Sequence, residues 1–469
     1  VALEGSLKFK EISYIHSEAF AAGEMKHGPI SLVENGTLVV GILTQPDLFE
    51  KSVSNMVEVK SRGAYLMGLT SFGSYAIEDT VDFAVYVPKT AQEKFYRRTL
   101  RQYYKPENLN DITDLEALGW DDTIDLENKE LVHYHTSEVF RLSPERSLYL
   151  MLVPKSEKVS SLLTKEDFVN AVRTINGVNT IGICSLTADE TITVAVQEAQ
   201  KMVNKFREDH LYIDAVILEG VGKYINAIAD AVDLRKLDAE NVSVVIAQDP
   251  ARAAKDEAYR THAAVGSALG MLSVRYVHEN MGSVDIENHP RTAKGTKDYP
   301  LTDKLNGLWL DAALSNGKPF SQLSVSDQKK LTDQGYIFVG SFQGYAGFFF
   351  SNSCTCTEAD SDYAYIEYNA VWNKAARIIR NTLLPRVRSK VKADPSTGYI
   401  SNTTISSWDA LVKSALETMV TSEDIADFDI YINPKQMAVS DKPFNIKVKL
   451  VADGIVHEFE IDLGFTNKI

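Results

Sequence analysis

Along this chain, apolar residues fall into short unbroken runs separated by stretches where they recur every three or four positions. The runs predict buried strands and the spaced stretches predict amphipathic helices, so their alternation predicts an α/β chain with parallel sheets. Residues 1–89 follow this pattern. Val1 to Ile15 has helical spacing, with Leu3, Leu7 and Ile15 among its apolar positions. Thr37 to Leu43 is a continuous apolar strand, and Leu48 to Arg62 sets Phe49, Val53, Met56 and Val59 on one helical face. Ala64 to Leu69 and Val81 to Val87 predict two more strands.

The pattern breaks after Thr90. Ala91 to Gly119 is polar, first basic (Lys94, Arg97, Arg98, Arg101) and then acidic, and runs into Leu118-Gly119-Trp120-Asp121-Asp122, so residues 90–130 read as a junction. From 131 to 275 a second α/β core is predicted. Its strands are Ser147–Val153, Thr180–Cys184, Tyr212–Leu218 and Val242–Ala247; its helices are Lys165–Thr174, Glu190–Glu208, Tyr224–Val232 and Ala251–Gly270. Residues 276–469 form a C-terminal region with strands at Tyr336–Val339 and Ala346–Phe350. Tyr363 to Val391 predicts a long helix with a basic face (Lys374, Arg377, Arg380, Arg386, Arg388, Lys390), which Pro385 kinks or ends. Asp394 to Gly398 is a turn, and Ser406 to Thr421 another helix. At the end, Phe444, Ile446, Val448 and Leu450 alternate with polar residues, Asp453-Gly454 signals a turn, and Ile455, His457, Phe459, Ile461 and Leu463 alternate again. That is a terminal β-hairpin, 444–463.

Composition narrows the function classes. A chain of 469 residues holds two to four domains, and its 44% apolar content supplies their cores. With 49 basic against 64 acidic side chains the net charge is −15, which disfavours nucleic acid as a partner. Three cysteines make no disulfide framework and suit a reducing compartment, here the cytoplasm. No run approaches the roughly 18 apolar residues of a membrane span, and the start shows no signal peptide. Because the first residue is Val1, the chain is expected to begin inside a longer reading frame or after processing.

The most specific motif is ALEGSLKFKEISYIHSEAFAAGEMKHGPISLV, Ala2 to Val33. On a helix, Glu4, Lys8 and Glu11 stand four and three apart and share a face, a spacing that fits sugar-pocket chemistry but by itself favours a surface salt-bridge ladder. The motif, and the match through Pro88, resembles the C-terminal sugar isomerase (SIS) domain of glutamine–fructose-6-phosphate aminotransferases. That resemblance implies aldose–ketose isomerisation, with Glu11 as the proton-transfer carboxylate, His27 as the ring-opening histidine, and Glu4 and Lys8 lining the sugar pocket. It also implies parts that do not occur here: the phosphate-holding loop of the preceding SIS domain, the closing tail with a further lysine, and the glutaminase domain. A general base without a substrate anchor lacks the positioning that catalysis needs.

Four further blocks lie in the longer part: LVHYHTSEVFRLSPERSLYLMLV from Leu131, DAVILEGVGKY from Asp214, SNSCTCTEADSDYAYIEYNAVWNKAARIIRNTL from Ser351, and the β-rich end. In this order they resemble an uncharacterised phage-associated family read as tail sheath proteins, over residues 131–469. A sheath subunit needs a rigid core and arms that pair with neighbours, and the terminal hairpin is a candidate arm, or else an internal edge hairpin. The basic helix is either solvated or faces an acidic surface on a neighbour or an inner tube.

Weaker signals stay structural. Gly220-Val221-Gly222-Lys223 lacks the full phosphate-loop spacing. Cys354-Thr355-Cys356 has no second ligand pair, and His133 and His135, two apart in a run predicted as a strand, do not make a metal site. The aromatic run Tyr336 to Phe350 reads as core. The sequence thus predicts an α/β chain in which a partial SIS-like parallel sheet precedes a tail-sheath-like α/β core with a β-rich C-terminal region. The expected function is a structural subunit of a contractile phage-tail-like sheath, self-assembling into a helical tube and carrying an incomplete isomerase fragment, without enzymatic activity. The alternative is an isomerase of the aminotransferase type, converting fructose 6-phosphate to glucosamine 6-phosphate. No cofactor or metal is expected. The expected partners are copies of the chain, inner tail tube and baseplate proteins, with assembly in the cytoplasm into a tail or injection particle.

Overall fold

The structure, a computed structural model, describes residues 2–44, 48–71, 75–87, 103–144, 146–162, 164–175, 177–184, 190–225, 227–284, 301–439 and 442–455. It divides into two compact units, Val1–Tyr96 and Arg97–Ile469. The first holds α1 (Ala2–Ser13), two 3-10 turns (Glu24–His27 and Pro29–Leu32), β1 (Leu38–Leu43), α2 (Phe49–Lys60), β2 (Tyr65–Ser71) and β3 (Phe83–Val87). The three strands are parallel in the order β1-β2-β3, with Val40 opposite Met67 and Leu69 opposite Val85. Met56 and Val59 of α2 pack on Leu43 and Leu66, and Ile77 and Val81 close this small core. On the other face of the sheet Leu38, Val40, Ile42, Tyr65 and Phe83 are exposed.

The second unit opens with β4 (Pro106–Leu109), α3 (Ile112–Ala117), α4 (Asp122–Asn128), α5 (Val132–Leu142) and β5 (Leu148–Met151). β4 and β5 pair antiparallel, Leu109 opposite Leu148, over Leu115 and Phe140. Two expectations are corrected here. Residues 106–128, read as junction, are folded into the unit: the Asp111 and Asp121 carboxylates cap α3 and α4, and the Trp120 indole donates to Asp125 at 2.8 Å. The run after Leu131, read as a strand, is helix α5. The Asp125 carboxylate accepts the backbone N–H groups of His133 (3.1 Å) and Tyr134 (2.9 Å), which satisfies donors that a helix start leaves free. His133 and His135 therefore do not share a face.

The centre of the unit contains α6 (Val159–Leu162), α7 (Glu166–Thr174), β6 (Thr180–Ile183), α8 (Ile192–Glu208), β7 (Ala215–Glu219), β8 (Val242–Val245), β9 (Ala247–Gln248), α9 (Pro250–Ala253), α10 (Val265–Val274), β10 (Ala313–Leu314), α11 (Val325–Asp333) and β11 (Tyr336–Ile337). β11-β8-β7-β6 form an all-parallel sheet. Val216, Leu218, Val242 and Val244 turn to one face, against Val196, Ala199, Met202 and Phe206 of α8. Ala215, Ile217 and Val245 turn to the other, against Val265, Ala268 and Met271 of α10 and Leu142 of α5. The result is three layers, helix on sheet on helix, as continuous apolar strands require. The predicted helix Tyr224–Val232 is instead two 3-10 turns, Gly222–Ile225 and Ile228–Asp230. The predicted helix Ala251–Gly270 is broken into α9, a 3-10 turn at Glu257–Tyr259 whose start Asp256 caps, and α10. The predicted boundary at 275 is also crossed, because β11 lies in the sheet beside β8.

Beyond β12 (Val339–Gly340) and β13 (Phe349–Phe350), which pair antiparallel, α12 (Ile366–Leu383) gives way to a 3-10 turn at Pro385. α13 (Asn402–Thr421), β14 (Asp427–Ile432) and β15 (Ile446–Val451) complete the described chain. β14 and β15 form an antiparallel ribbon, Ile430 opposite Val448. Its inner residues Phe428, Ile430, Val448 and Leu450 pack on a core that includes Val371 and Ala375 of α12 and Val412 and Leu416 of α13. The first strand of the predicted terminal hairpin is thus paired with β14, a segment that had no strand assigned. Its second strand lies beyond residue 455, outside the described residues.

Candidate functional site

In the first unit, Lys8 and Glu11 of α1 form an ion pair at 2.8 Å, with both side chains about half exposed. The side chain of Glu4, on the same helix, lies outside the described residues. His27 is exposed at the end of the turn Glu24–His27, beside Lys26, whose ammonium pairs with Glu58 at 2.7 Å. Ser6 and Ser17 tie α1 to the segment after it, each hydroxyl donating to the other's carbonyl. Among the described residues, no hydrogen bond or ion pair joins Glu11 or Lys8 to His27. The four motif residues therefore sit on two separate local elements, and what the described contacts show at Lys8 and Glu11 is a surface pair.

In the second unit, each weak sequence signal has a structural occupant. A Cβ on Gly222 would lie 2.5 Å from the Ser315 carbonyl oxygen, the Gly222 N–H donates to Thr261, and the Ser315 hydroxyl donates to the Gly220 carbonyl. The Gly-Val-Gly-Lys turn is filled by the chain itself. Cys354 and Cys356 are buried, and burial pushes the Cys354 thiol up to about 11. Arg235 donates from Nη1 to the carbonyls of Thr355, Thr357 and Ala364, and from Nη2 to Cys354 Sγ at 3.1 Å. Of the aromatic run, Tyr336, Phe338, Phe349 and Phe350 are buried, whereas Phe342 and Tyr345 at its tip are exposed.

Parallel sheets offer ligand crevices at the carboxyl ends of their strands. Here the end of β7 is bonded to the chain's own loop, beside a small cleft lined by Ile183, Glu190, Leu218 and Glu219. Glu219, closing β7, accepts the Ala263 N–H at 2.9 Å. Asp249, following β9, accepts from Ala251 (2.9 Å) and Trp309 (3.1 Å), while burial pushes its carboxyl up to about 6. Below them lies a buried polar network that the sequence reading missed. Glu138 of α5 is held by Arg141, by the Ser267 hydroxyl at 2.7 Å and by the Trp309 indole at 3.1 Å. Arg252 of α9 pairs with Asp122 and Asp125 and lies over the rings of Tyr134 (5.1 Å) and Tyr259 (4.8 Å). Only the wide separation of these residues in sequence hid them.

The C-terminal ribbon turns one face to solvent. Asp427, Asp429 and Tyr431 of β14 face outward beside Val451, Lys449 and Lys447 of β15. Among the described residues, neither outer edge of the ribbon pairs with a further strand. The basic helix is divided in use. Lys374 pairs with Asp424 at 2.5 Å and Arg377 with Asp214 at 3.4 Å, where burial pushes the Asp214 carboxyl up to about 6 against the pull of Arg377. Past Pro385, Arg386, Arg388 and Lys390 face solvent.

These features define a two-unit α/β protein, an SIS-type sheet followed by a three-layer core that ends in a β-ribbon. Residues 1–103 match the SIS domain, residues 99–354 the DUF2586 N-terminal domain, and residues 362–469 the DUF2586 C-terminal domain. The second match covers more than half of the 469 residues, and the chain belongs to the DUF2586 family. Over 93 residues it is 56% identical to the glutamine–fructose-6-phosphate aminotransferase (isomerizing) of Caldanaerobacter subterraneus subsp. tengcongensis, covering 20% of this chain and 15% of that protein. Over 90 residues it is 59% identical to that of Clostridium tetani, covering 19% and 15%. The chain thus spans 15% of the length of these curated relatives. Among solved structures, the C-terminal domain of glucosamine-fructose-6-phosphate aminotransferase from Francisella tularensis aligns over 18% of this chain and 24% of that one, with 37% identity and a TM-score of 0.17. The anti-feeding prophage baseplate, six-fold symmetrised, aligns over 72% and 81%, with 14% identity and a TM-score of 0.43.

Proposed function

We propose that this chain is a structural subunit of a contractile, phage-tail-like sheath that self-assembles into a helical tube, and that its isomerase-like fragment turns over no sugar. The observation that carries the reading is the β14–β15 ribbon. It is anchored on α12 and α13, presents outer edges that no described strand covers, and is followed by the alternating segment 455–463. A strand from a neighbouring copy adds to such an edge through main-chain hydrogen bonds. Repeated head to tail, that contact does not close on itself and builds a helix of subunits. Further partners would be inner tail tube and baseplate proteins, with assembly in the cytoplasm. In this reading Glu11 and His27 are idle, and Lys8 pairs with Glu11 at the surface of α1.

The test is sedimentation of the purified chain beside a version truncated after Gly454. The full chain should form large, concentration-dependent species and the truncated one should not. Equal sedimentation of the two as small species, together with isomerisation of fructose 6-phosphate by the full chain, would favour the isomerase reading instead.

A further inference from the structure

Two buried histidines, His135 and His262, lie where α5 meets the start of α10. Gly266 and Gly270 of α10 let the helices touch. A Cβ at Gly266 would lie 2.3 Å from the His135 carbonyl oxygen, and one at Gly270 would lie 2.9 Å from Leu142 Cβ. The Gly266 N–H donates to His135 Nδ1 at 3.2 Å. A backbone N–H only donates, so Nδ1 is bare and the ring proton sits on Nε2. His262, just before α10, contacts the Tyr259 carbonyl through Nδ1 at 2.5 Å. A carbonyl only accepts, so here Nδ1 carries the proton and Nε2 is bare. Both Nε2 atoms are buried without a hydrogen-bond partner among the described residues. Both rings pack on Tyr134, at 5.3 and 5.6 Å between centroids.

We propose that His135 and His262 form an acid-released latch on the segment 257–266: a proton on His135 abolishes its acceptance of the Gly266 N–H, and a proton on His262 sets a second cation near Arg252. The surrounding charges offer no spare anion. On α4, Asp122 and Asp125 are engaged by Arg252, and Asp122 also by Lys255. On α5, Glu138 is taken by Arg141, Ser267 and Trp309. Asp249, beside α9, and Asp256, at the 257–259 turn, accept backbone N–H groups, as does Asp303 in the loop that carries Trp309. Tyr134 and Tyr259 contribute neutral rings, and burial pushes the Tyr259 hydroxyl up to about 12. Burial brings His135 down to about 3 and His262 to about 4, so the latch stays closed at neutral pH.

The experiment is hydrogen exchange on the full chain, corrected for intrinsic rates and followed by mass spectrometry as pH is lowered. The wild type is compared with the double variant His135→Asn/His262→Asn. Asparagine reproduces an acceptor at the first ring position and a donor at the second, without titrating. In the wild type, residues 257–270 should lose protection at a higher pH than β7. In the variant that loss should move to lower pH by about half a unit or more. Simultaneous loss across both segments, at the same pH in both proteins, would overturn the latch. If the variant does not fold, the ring 15N shifts of the wild type decide. Neutral rings with opposite tautomers at about pH 5 support it, and two histidines titrating near 6.5 in the folded protein overturn it.

Discussion

Arg235 is buried, makes no ion pair among the described residues, and spends its guanidinium on three carbonyls and a thiol. A buried cation without an anion survives only if hydrogen bonds replace its lost water. Arg235→Leu should therefore lower stability by on the order of 3 kcal/mol, read from urea unfolding, with Arg235→Lys recovering only part. A second prediction concerns Asp214 and Asp249, which burial pushes up to about 6. An unfolded aspartate titrates near 3.9, so between roughly pH 6 and 4 the folded chain holds protons that the unfolded chain does not. Each carboxyl thus adds stability as pH falls through that window, by up to about 1.4 kcal/mol per unit. The two histidines have the opposite sign, because the unfolded chain takes their protons first, below about 6.5. Asp249→Asn should remove one of the two carboxyl gains, so its urea midpoint should drop relative to that of the wild type as pH falls from about 6 to 4.

At the level of elements, the apolar runs were legible because a fully buried strand leaves an unbroken signature. β1, β2, β7 and β8 lie where those runs stand. α5 was not legible. Tyr134, Thr136, Val139 and Phe140 have β-leaning side chains, and the helix start is capped by Asp125 from the preceding helix, a contact that apolar periodicity does not report. The start of α10 within 251–270 likewise meets a group from outside the segment, the Gly266 N–H donating to His135 of α5. β14 was present in Asp427-Phe428-Asp429-Ile430-Tyr431-Ile432, an alternating run that reads clearly only after its partner is known. At the candidate isomerase site, the Lys8–Glu11 spacing foretold their pairing, whereas the arrangement of His27 relative to them depends on turns rather than on periodicity. The ribbon rests on Leu416, which is fully buried. Leu416→Ala should cost about 2–5 kcal/mol and raise amide exchange in β14 before it does so in β7.

For the whole molecule, the two units differ in how well they are covered. The parallel sheet of the first has an exposed apolar face carrying Leu38, Val40, Ile42, Tyr65 and Phe83, while the sheet of the second is buried on both faces. Amide exchange in β1 and β2 should accordingly be faster than in β7 and β8 of the same chain. Slower exchange in β1 would mean that this face is covered in solution. The larger unit combines a three-layer core with a ribbon whose outer edges no described strand covers, and the proposed sheath role depends on a neighbouring copy pairing there. Electron microscopy of the purified full-length chain at increasing concentration is the direct test: the account predicts rods of uniform diameter whose length grows with concentration, and compact particles of fixed size at every concentration would contradict it.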